Sequence, residues 1–66
     1  MTVNPKMILL ARESRGITQQ SLSEKISSYK ANLSRVEKGD VSISPSLLQA
    51  IAEVTGYPIQ FFYQHG

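Results

Sequence analysis

The sequence predicts an all-α domain of five short helices, and three observations support this fold class. The chain has 66 residues, which leaves room for one small hydrophobic core and no second domain. Capping residues followed by proline, and single glycines, recur along the chain where helices would begin and end. No segment combines the alternation of a strand with a hairpin turn. We therefore expect a single domain over residues 1–66.

The first and fourth helices begin with the same signal, a capping side chain followed by proline. Asn4-Pro5 predicts a first helix over residues 5–15, and Ser44-Pro45 predicts a fourth helix over residues 45–55. The capping side chain accepts a hydrogen bond from the first turn, where proline is tolerated because its missing N–H would be unpaired anyway. A glycine suited to the left-handed end of a helix follows each of the two, namely Gly16 and Gly56.

The middle of the chain predicts two helices that are separated by a short turn. Thr18 is the expected N-cap of a second helix over residues 19–26, which Ser27-Ser28 ends. A third helix follows over residues 29–38, and Gly39 ends it. Two helices joined by about three residues match the spacing of a helix-turn-helix, although any helical bundle has short loops.

A short fifth helix over residues 58–63 completes the predicted fold. Apolar residues recur at spacings of three and four in the predicted helices, so that each helix has one inward face. The expected core consists of Ile8, Ala11, Ile17, Leu22, Ile26, Leu33, Val36, Leu48, Ile51, Ala52, Ile59 and Phe62.

The chain has more apolar residues than so small a core holds. Residues 7–11 are apolar without interruption, so Leu9 or Leu10 is expected to be partly exposed. On the fifth helix, the inward face leaves Phe61 and Tyr63 pointing elsewhere. Clustered exposed apolar side chains indicate an interface, whereas scattered exposure is normal in a shallow domain.

The composition excludes several functional classes. Without cysteine the chain forms no disulfide and no Cys-based metal site, and one histidine is too few for most other metal sites. No apolar run approaches the roughly 20 residues of a membrane span. The chain also lacks paired carboxylates at useful spacing and a phosphate-binding loop. We therefore expect no enzyme, no cofactor and no metal, and we expect His65 to lie in an unstructured tail.

The net charge of +2 conceals an asymmetry along the chain. All seven basic residues lie in residues 1–38, which hold three acidic residues and so carry +4, whereas residues 39–66 carry −2. Such an asymmetry indicates a surface for polyanions. Chance clustering in a short chain is the alternative, and charge alone does not separate the two interpretations.

The two middle helices carry a more specific pattern. Residues 18–26 read TQQSLSEKI and residues 33–39 read LSRVEKG, with eleven residues from Leu22 to Leu33. This pattern resembles the phage-repressor and Cro type of helix-turn-helix, the XRE family. The resemblance implies a phage-repressor-like DNA-binding domain with its helix-turn-helix at about residues 18–38. It also implies that the third helix enters the major groove of double-stranded DNA.

The outward face of the third helix contains the expected base contacts. Leu33 and Val36 must face the core, so the opposite face of this helix points outward. The resemblance implies that the main base contacts are Lys30, Ala31 and Arg35, with Tyr29 at the groove edge. Helical spacing adds Ser34 to the same outward face as a further base contact. An arginine donates two parallel hydrogen bonds to guanine O6 and N7, and an alanine methyl packs against a thymine methyl. The alternative is a solvated helix face with no ligand.

A second group of residues is expected to contact the DNA backbone. These residues are Thr18, Gln19, Asn32 and Lys38. The resemblance assigns Gln19 to the phosphate backbone, at the positive end of the second helix. Thr18 also has the alternative role of a simple helix cap.

Other charged residues are expected to be structural. The resemblance implies an ion pair between Arg12 and Glu37 that braces the third helix, with a DNA contact as the alternative for Arg12. Solubility is the expected role of three further basic residues, Lys6, Arg15 and Lys25.

The sequence departs from the family pattern mainly at the turn between the second and third helices. Ser27 replaces the usual glycine, and a positive φ there would cost roughly 1 kcal/mol. Ser28 replaces an apolar residue, and Tyr29 replaces a small capping residue. The start of the third helix is therefore the part of the geometry that the sequence fixes least. Thr55 also stands where leucine is common in the family.

The predicted partners are double-stranded DNA and a second copy of the chain. A homodimer would require a palindromic operator with half-sites about 34 Å apart. Residues 56–64 and 11–16 also resemble an XRE subgroup that precedes a zinc-peptidase-like domain, so a further C-terminal domain is an alternative for the apolar surface. The alternative function is a protein-interaction module of the same fold. We expect a cytoplasmic protein of bacterial or phage type.

Overall fold

The computed structural model describes residues 2–64 and consists of four α-helices and a terminal 3₁₀ helix. The elements are α1 (Pro5–Ser14), α2 (Gln19–Lys25), α3 (Lys30–Lys38), α4 (Pro45–Thr55) and the 3₁₀ helix (Ile59–Tyr63). The predicted all-α class is confirmed, with the difference that the fifth helix is 3₁₀ and not α. The prediction for His65 lies outside the described residues. Within residues 2–64, no helix is long and apolar enough to cross a membrane.

The predicted caps set the starts of α1, α2 and α4. The side chain of Asn4 accepts from the backbone N–H of Lys6. Thr18 accepts from Ser21 at the start of α2, and Ser44 caps α4 in the same manner. Each of these caps satisfies one of the N–H groups that the first turn of a helix leaves unpaired. The start of α3 has no such cap.

The core lies where α1, α3 and α4 meet α2 and the 3₁₀ helix. Its ten buried apolar residues were all predicted, and they are Ile8, Ala11, Leu22, Ile26, Leu33, Val36, Leu48, Ile51, Ala52 and Phe62. The other two predicted members, Ile17 and Ile59, are only partly buried and pack against the edge of the core.

Two polar side chains are buried beside this core. The hydroxyl of Ser23 donates to the carbonyl of Gln20 at 2.8 Å, and the hydroxyl of Thr55 donates to Ile51 at 2.8 Å. A buried hydroxyl is costly only when it lacks a partner, and both hydroxyls return to their own helix. Thr55 therefore fits a position where leucine is common, because its hydroxyl is satisfied by its own helix.

The aromatic residues of the 3₁₀ helix are less exposed than the sequence predicts. Phe61 and Tyr63 are both partly buried and pack against the core. Phe61 stacks on Tyr57 with ring centroids 4.3 Å apart and meets the edge of Phe62 at 5.4 Å. The expectation of an exposed aromatic cluster here is wrong, because both side chains pack against the core and Tyr57 also covers one face of Phe61. Leu10 is 49% exposed, as expected for one of the two leucines on α1.

The C-terminal ends of α1 and α4 are joined by Arg15. Its Nε atom donates to the carbonyl oxygen of Thr55 at 2.8 Å, and its guanidinium lies 4.7 Å from the ring centroid of Tyr57. The Tyr57 hydroxyl in turn lies 2.8 Å from the Oγ atom of Ser14. Arg15 thus satisfies a carbonyl at a helix end and stacks on an aromatic face. The expectation that Arg15 is only a solubility charge is wrong.

Candidate nucleic-acid interface

The turn between α2 and α3 contains a strained backbone position. Ser27 has a φ of +56°, and it is the one non-glycine residue within 2–64 with a positive φ. A side chain at such a φ crowds the backbone, which is why glycine is favoured. The condition under which the sequence predicts a cost for Ser27, a positive φ, is therefore met. The next residue continues the turn, because the N–H of Ser28 donates to the carbonyl of Ser23 at 2.8 Å.

The first turn of α3 starts at an exposed aromatic residue. Tyr29 has the extended backbone of an N-cap, with φ −102° and ψ 144°, but its side chain makes no capping hydrogen bond. The residue is 83% exposed, the largest exposure of any bulky apolar residue in residues 2–64. Tyr29 therefore precedes α3 and does not belong to it. The helix begins at Lys30, one residue later than the sequence predicts. Its ring is free to contact a ligand at the edge of α3.

The two faces of α3 differ as predicted. Leu33 and Val36 are buried, whereas the predicted base contacts Lys30, Ala31 and Arg35 are exposed, and the predicted base contact Ser34 is half-buried. Lys30, Ala31, Ser34 and Arg35 form what we call the outward face of α3.

The cations on and beside this face are unengaged. Among the described residues, no side chain forms a hydrogen bond or ion pair with Lys30, Arg35 or the exposed Lys38. A cation without an internal partner keeps its full capacity for an external anion. Three such cations on one short helix make α3 the most basic surface element of the fold.

The predicted backbone contacts lie around α3 with differing internal bonds. Thr18 is exposed, and its hydroxyl accepts from the Ser21 N–H at 3.1 Å, which gives it the role of a cap. The Nδ2 atom of Asn32 donates to the Oγ atom of Ser28 at 3.3 Å, which holds the side chain over the turn. Gln19 is half-buried at the start of α2, and its carboxamide donates to Glu37.

A buried ion pair fixes α3 against α1. The Nε atom of Arg12 lies 2.8 Å from Oε2 of Glu37, and its Nη2 atom lies 3.1 Å from Oε1, so the pair is bidentate. The two side chains are only 11% and 5% exposed. The Nη1 atom of Arg12 also donates to the carbonyl of Ile17 at 3.0 Å, which ties the turn before α2 to the same group. This is the brace that the sequence predicts.

Sequence reasoning missed two contacts of this region. The first is the hydrogen bond from Gln19 to Glu37, and the second is the engagement of Arg15 with Tyr57. Both join residues that are far apart in the sequence, so no local spacing indicates them. The other two basic residues that were expected to serve solubility, Lys6 and Lys25, are exposed and have no partner among residues 2–64.

Comparison with known proteins places this geometry in a family. A helix-turn-helix family model matches residues 8–62. Among solved structures, PlcR of Bacillus thuringiensis, crystallised with the peptide PapR7 and DNA, is 41% identical with a TM-score of 0.81. The match covers 89% of this chain and 21% of PlcR, so the chain spans about a fifth of that protein's length.

No curated protein matches the chain. A zinc-peptidase-like partner domain stays a prediction, since neither match bears on it. The family model covers most of the chain, from the middle of α1 to the 3₁₀ helix, and so includes the turn and both helices of the candidate interface. The chain therefore belongs to the XRE family of helix-turn-helix proteins.

Proposed function

We propose that this protein binds double-stranded DNA in a sequence-specific manner and regulates transcription, with α3 in the major groove. The observation that carries the proposal is the outward face of α3, which presents unpaired cations on a helix whose other face is buried. The likeness to PlcR, which was crystallised with DNA, supports it. Such a role requires the compartment that holds DNA, the cytoplasm of a bacterial cell.

Within this proposal the outward face of α3 contacts the bases. Arg35 is the main discriminating residue, because a guanidinium donates two hydrogen bonds to guanine. Lys30 reaches a guanine or a phosphate. Ala31 contacts a thymine methyl, and Ser34 serves either kind of base. The exposed ring of Tyr29 contacts the edge of the groove.

The proposed phosphate contacts come from two helices. Gln19 and the capping residue Thr18 lie at the start of α2, whereas Asn32 and Lys38 lie on α3 itself and flank the groove on the other side. Contacts to phosphate position the protein without distinguishing sequences. Because they release counterions, the affinity should fall steeply as the salt concentration rises.

We further propose a homodimer on a palindromic operator. One α3 presents few base-contacting side chains, so a second copy would double the number of contacts. Leu10, which is 49% exposed on α1, is a candidate contact of such a dimer. The alternative is that this apolar surface docks another domain or another protein, with the fold acting as an interaction module. We propose no catalytic role for the chain.

The first experiment is a selection of bound duplexes from a random library. A consensus with two-fold symmetry and half-sites about 34 Å apart is expected. A titration with mixed duplex DNA at low salt separates the alternative, because an interaction module would show no binding there. The absence of binding at low salt would overturn the proposed function.

The selected duplex then tests the division between base and phosphate contacts. Arg35→Ala should cost about 1–3 kcal/mol of binding free energy and relax the preference between cognate and scrambled duplexes. Gln19→Ala should weaken both duplexes alike. Fluorescence anisotropy at several salt concentrations measures both effects.

A matched control removes an exposed cation elsewhere. Lys25 lies in the last turn of α2 and has no partner among the described residues. Lys25→Ala should change the affinity little at 0.15 M salt, because screening weakens a charge that makes no direct contact. An Arg35 variant with an unchanged sequence preference would show that another residue reads the site.

A further inference from the structure

Glu37 has two partners from two different helices. Its Oε1 atom accepts from Nη2 of Arg12 at 3.1 Å and from Nε2 of Gln19 at 2.9 Å. Its Oε2 atom accepts from Nε of Arg12 at 2.8 Å. One carboxylate on α3 thus holds a side chain of α1 and the first side chain of α2 at the same time. The bond to Arg12 is the brace, and the bond to Gln19 ties the start of α2 to the same carboxylate.

The chemistry of the contact fixes the orientation of the Gln19 carboxamide. An ionised carboxylate only accepts hydrogen bonds, so the amide must turn its nitrogen and not its oxygen toward Glu37. One N–H of the Nε2 group is then used. The second N–H has no acceptor among residues 2–64. The amide is therefore held with one donor still available.

The charges around this amide favour an anion. A lone carboxylate beside the DNA backbone would repel phosphate, but Arg12 pairs with Glu37 through both carboxylate oxygens. The three side chains together carry no net charge. The available N–H of Gln19 thus meets no net repulsion from the group that holds it.

We propose that Glu37 is a positioning residue for DNA binding, which fixes the Gln19 carboxamide to α3 so that its second N–H meets a phosphate in constant register with the base contacts. The proposal rests on the proposed function. An untethered glutamine would lose rotamer freedom when it bound phosphate, and the bond to Glu37 removes that loss beforehand. Because α2 and α3 share this bond, the phosphate contact and the base contacts are fixed relative to each other.

A triple-variant cycle tests the proposal with the selected duplex. Arg12→Met together with Glu37→Met replaces the buried pair by apolar side chains of similar length, an exchange that is often neutral for stability. We expect this double variant to bind DNA about 5–10-fold more weakly, as one lost hydrogen bond implies. Gln19→Met should have the same effect alone. Adding Gln19→Met to the double variant should weaken binding no further.

The matched control is Gln20→Met. Gln20 is the next residue on α2, and its amide also donates to a carboxylate, that of Glu24 at 2.9 Å. Its bond lies within one helix, so its loss should change the affinity less than twofold. Urea unfolding of each variant verifies that the proteins compared are folded. A double variant with wild-type affinity would overturn the proposal, as would additive losses in the triple variant.

A second measurement does not depend on the variants folding. In the DNA-free wild type, ¹⁵N relaxation of the Gln19 side-chain amide should give an order parameter that approaches the value of about 0.85 for rigid backbone. The exposed glutamines Gln49 and Gln60 are the comparison and should fall below about 0.6. A mobile Gln19 would overturn the inference while leaving DNA binding intact. A wild type that binds no duplex would overturn the proposed function and this inference with it.

Discussion

The starts of α1 and α4 differ from the turn between α2 and α3 in how well their residues suit the local backbone. At the starts of α1 and α4, a capping side chain and a proline each fit their backbone position, and glycines take the left-handed positions that follow. At the turn between α2 and α3, Ser27 occupies a left-handed position and Tyr29 stands uncapped with an exposed ring. The first region satisfies local preferences, whereas the second violates two of them within three residues.

This difference shows where the position of α3 comes from. The residues of the turn before α3 favour this position of the helix only weakly. Tertiary contacts therefore hold α3 in place, through Leu33, Val36 and the brace to Arg12. Residues that violate local rules concentrate where function constrains the sequence. We define the framework as α1, α4 and the 3₁₀ helix, and the turn region as residues 26–30. Three predictions test whether the framework supplies most of the stability.

The largest expected effect is in the framework. Phe62 is fully buried, so Phe62→Ala should destabilise the protein by about 3–5 kcal/mol. A domain of this size has only a few kcal/mol of net stability, so the variant should be largely unfolded at 25 °C. Far-UV circular dichroism with urea titration measures this. The control Phe61→Ala removes a partly buried ring and should cost about 1–2 kcal/mol. Equal losses in the free energy of unfolding would show that the two rings contribute equally to stability.

An intermediate effect of opposite sign is expected in the turn region. Ser27→Gly should stabilise the protein by about 1 kcal/mol, because glycine accepts a positive φ without crowding. The melting temperature should rise by roughly 4–8 °C. Gly16→Ser is the mirror control, since Gly16 has φ +67° and a Cβ atom there would meet no atom within 4 Å. It should lose about as much as the first variant gains. A destabilised Ser27→Gly protein would mean that the serine makes a compensating contact.

The smallest expected effect separates stability from binding. Tyr29→Ser supplies the capping oxygen that α3 lacks and should stabilise the protein by about 0.5–1 kcal/mol. The same variant loses an exposed ring at the proposed groove edge, so its affinity for DNA should fall. Thermal melting and anisotropy titration on one preparation test both halves. A variant that gains stability and keeps full affinity would remove Tyr29 from the proposed interface.

What the sequence could predict follows from the range of each interaction. The caps at Asn4 and Ser44 depend on neighbours two or three residues away, and these helix starts were predicted to the residue. The buried core followed from helical spacing. The outward position of Arg35 followed from the burial of Leu33 and Val36.

The remaining contacts depend on how the helices pack. Tyr57 covers both Phe61 and Arg15, and no local pattern brings these three residues together. The hydrogen bond from Gln19 to Glu37 likewise spans 18 residues. The sequence prediction started α3 one residue too early. Tyr29 has no side-chain oxygen that caps the helix, so only its extended backbone shows that the helix begins after it.

The two ends of the described chain meet in space. The N–H of Asn4 donates to the carbonyl of Phe62 at 2.7 Å, and its Nδ2 atom donates to the carbonyl of Gln64 at 2.8 Å, across 60 residues of sequence. A short Gly/Ser linker would therefore join Asn4 to Gln64, and a new opening in the loop at residues 40–43 would give a circular permutant with all four helices intact. The same proximity places Asn4 and Gln64 on one side of the molecule.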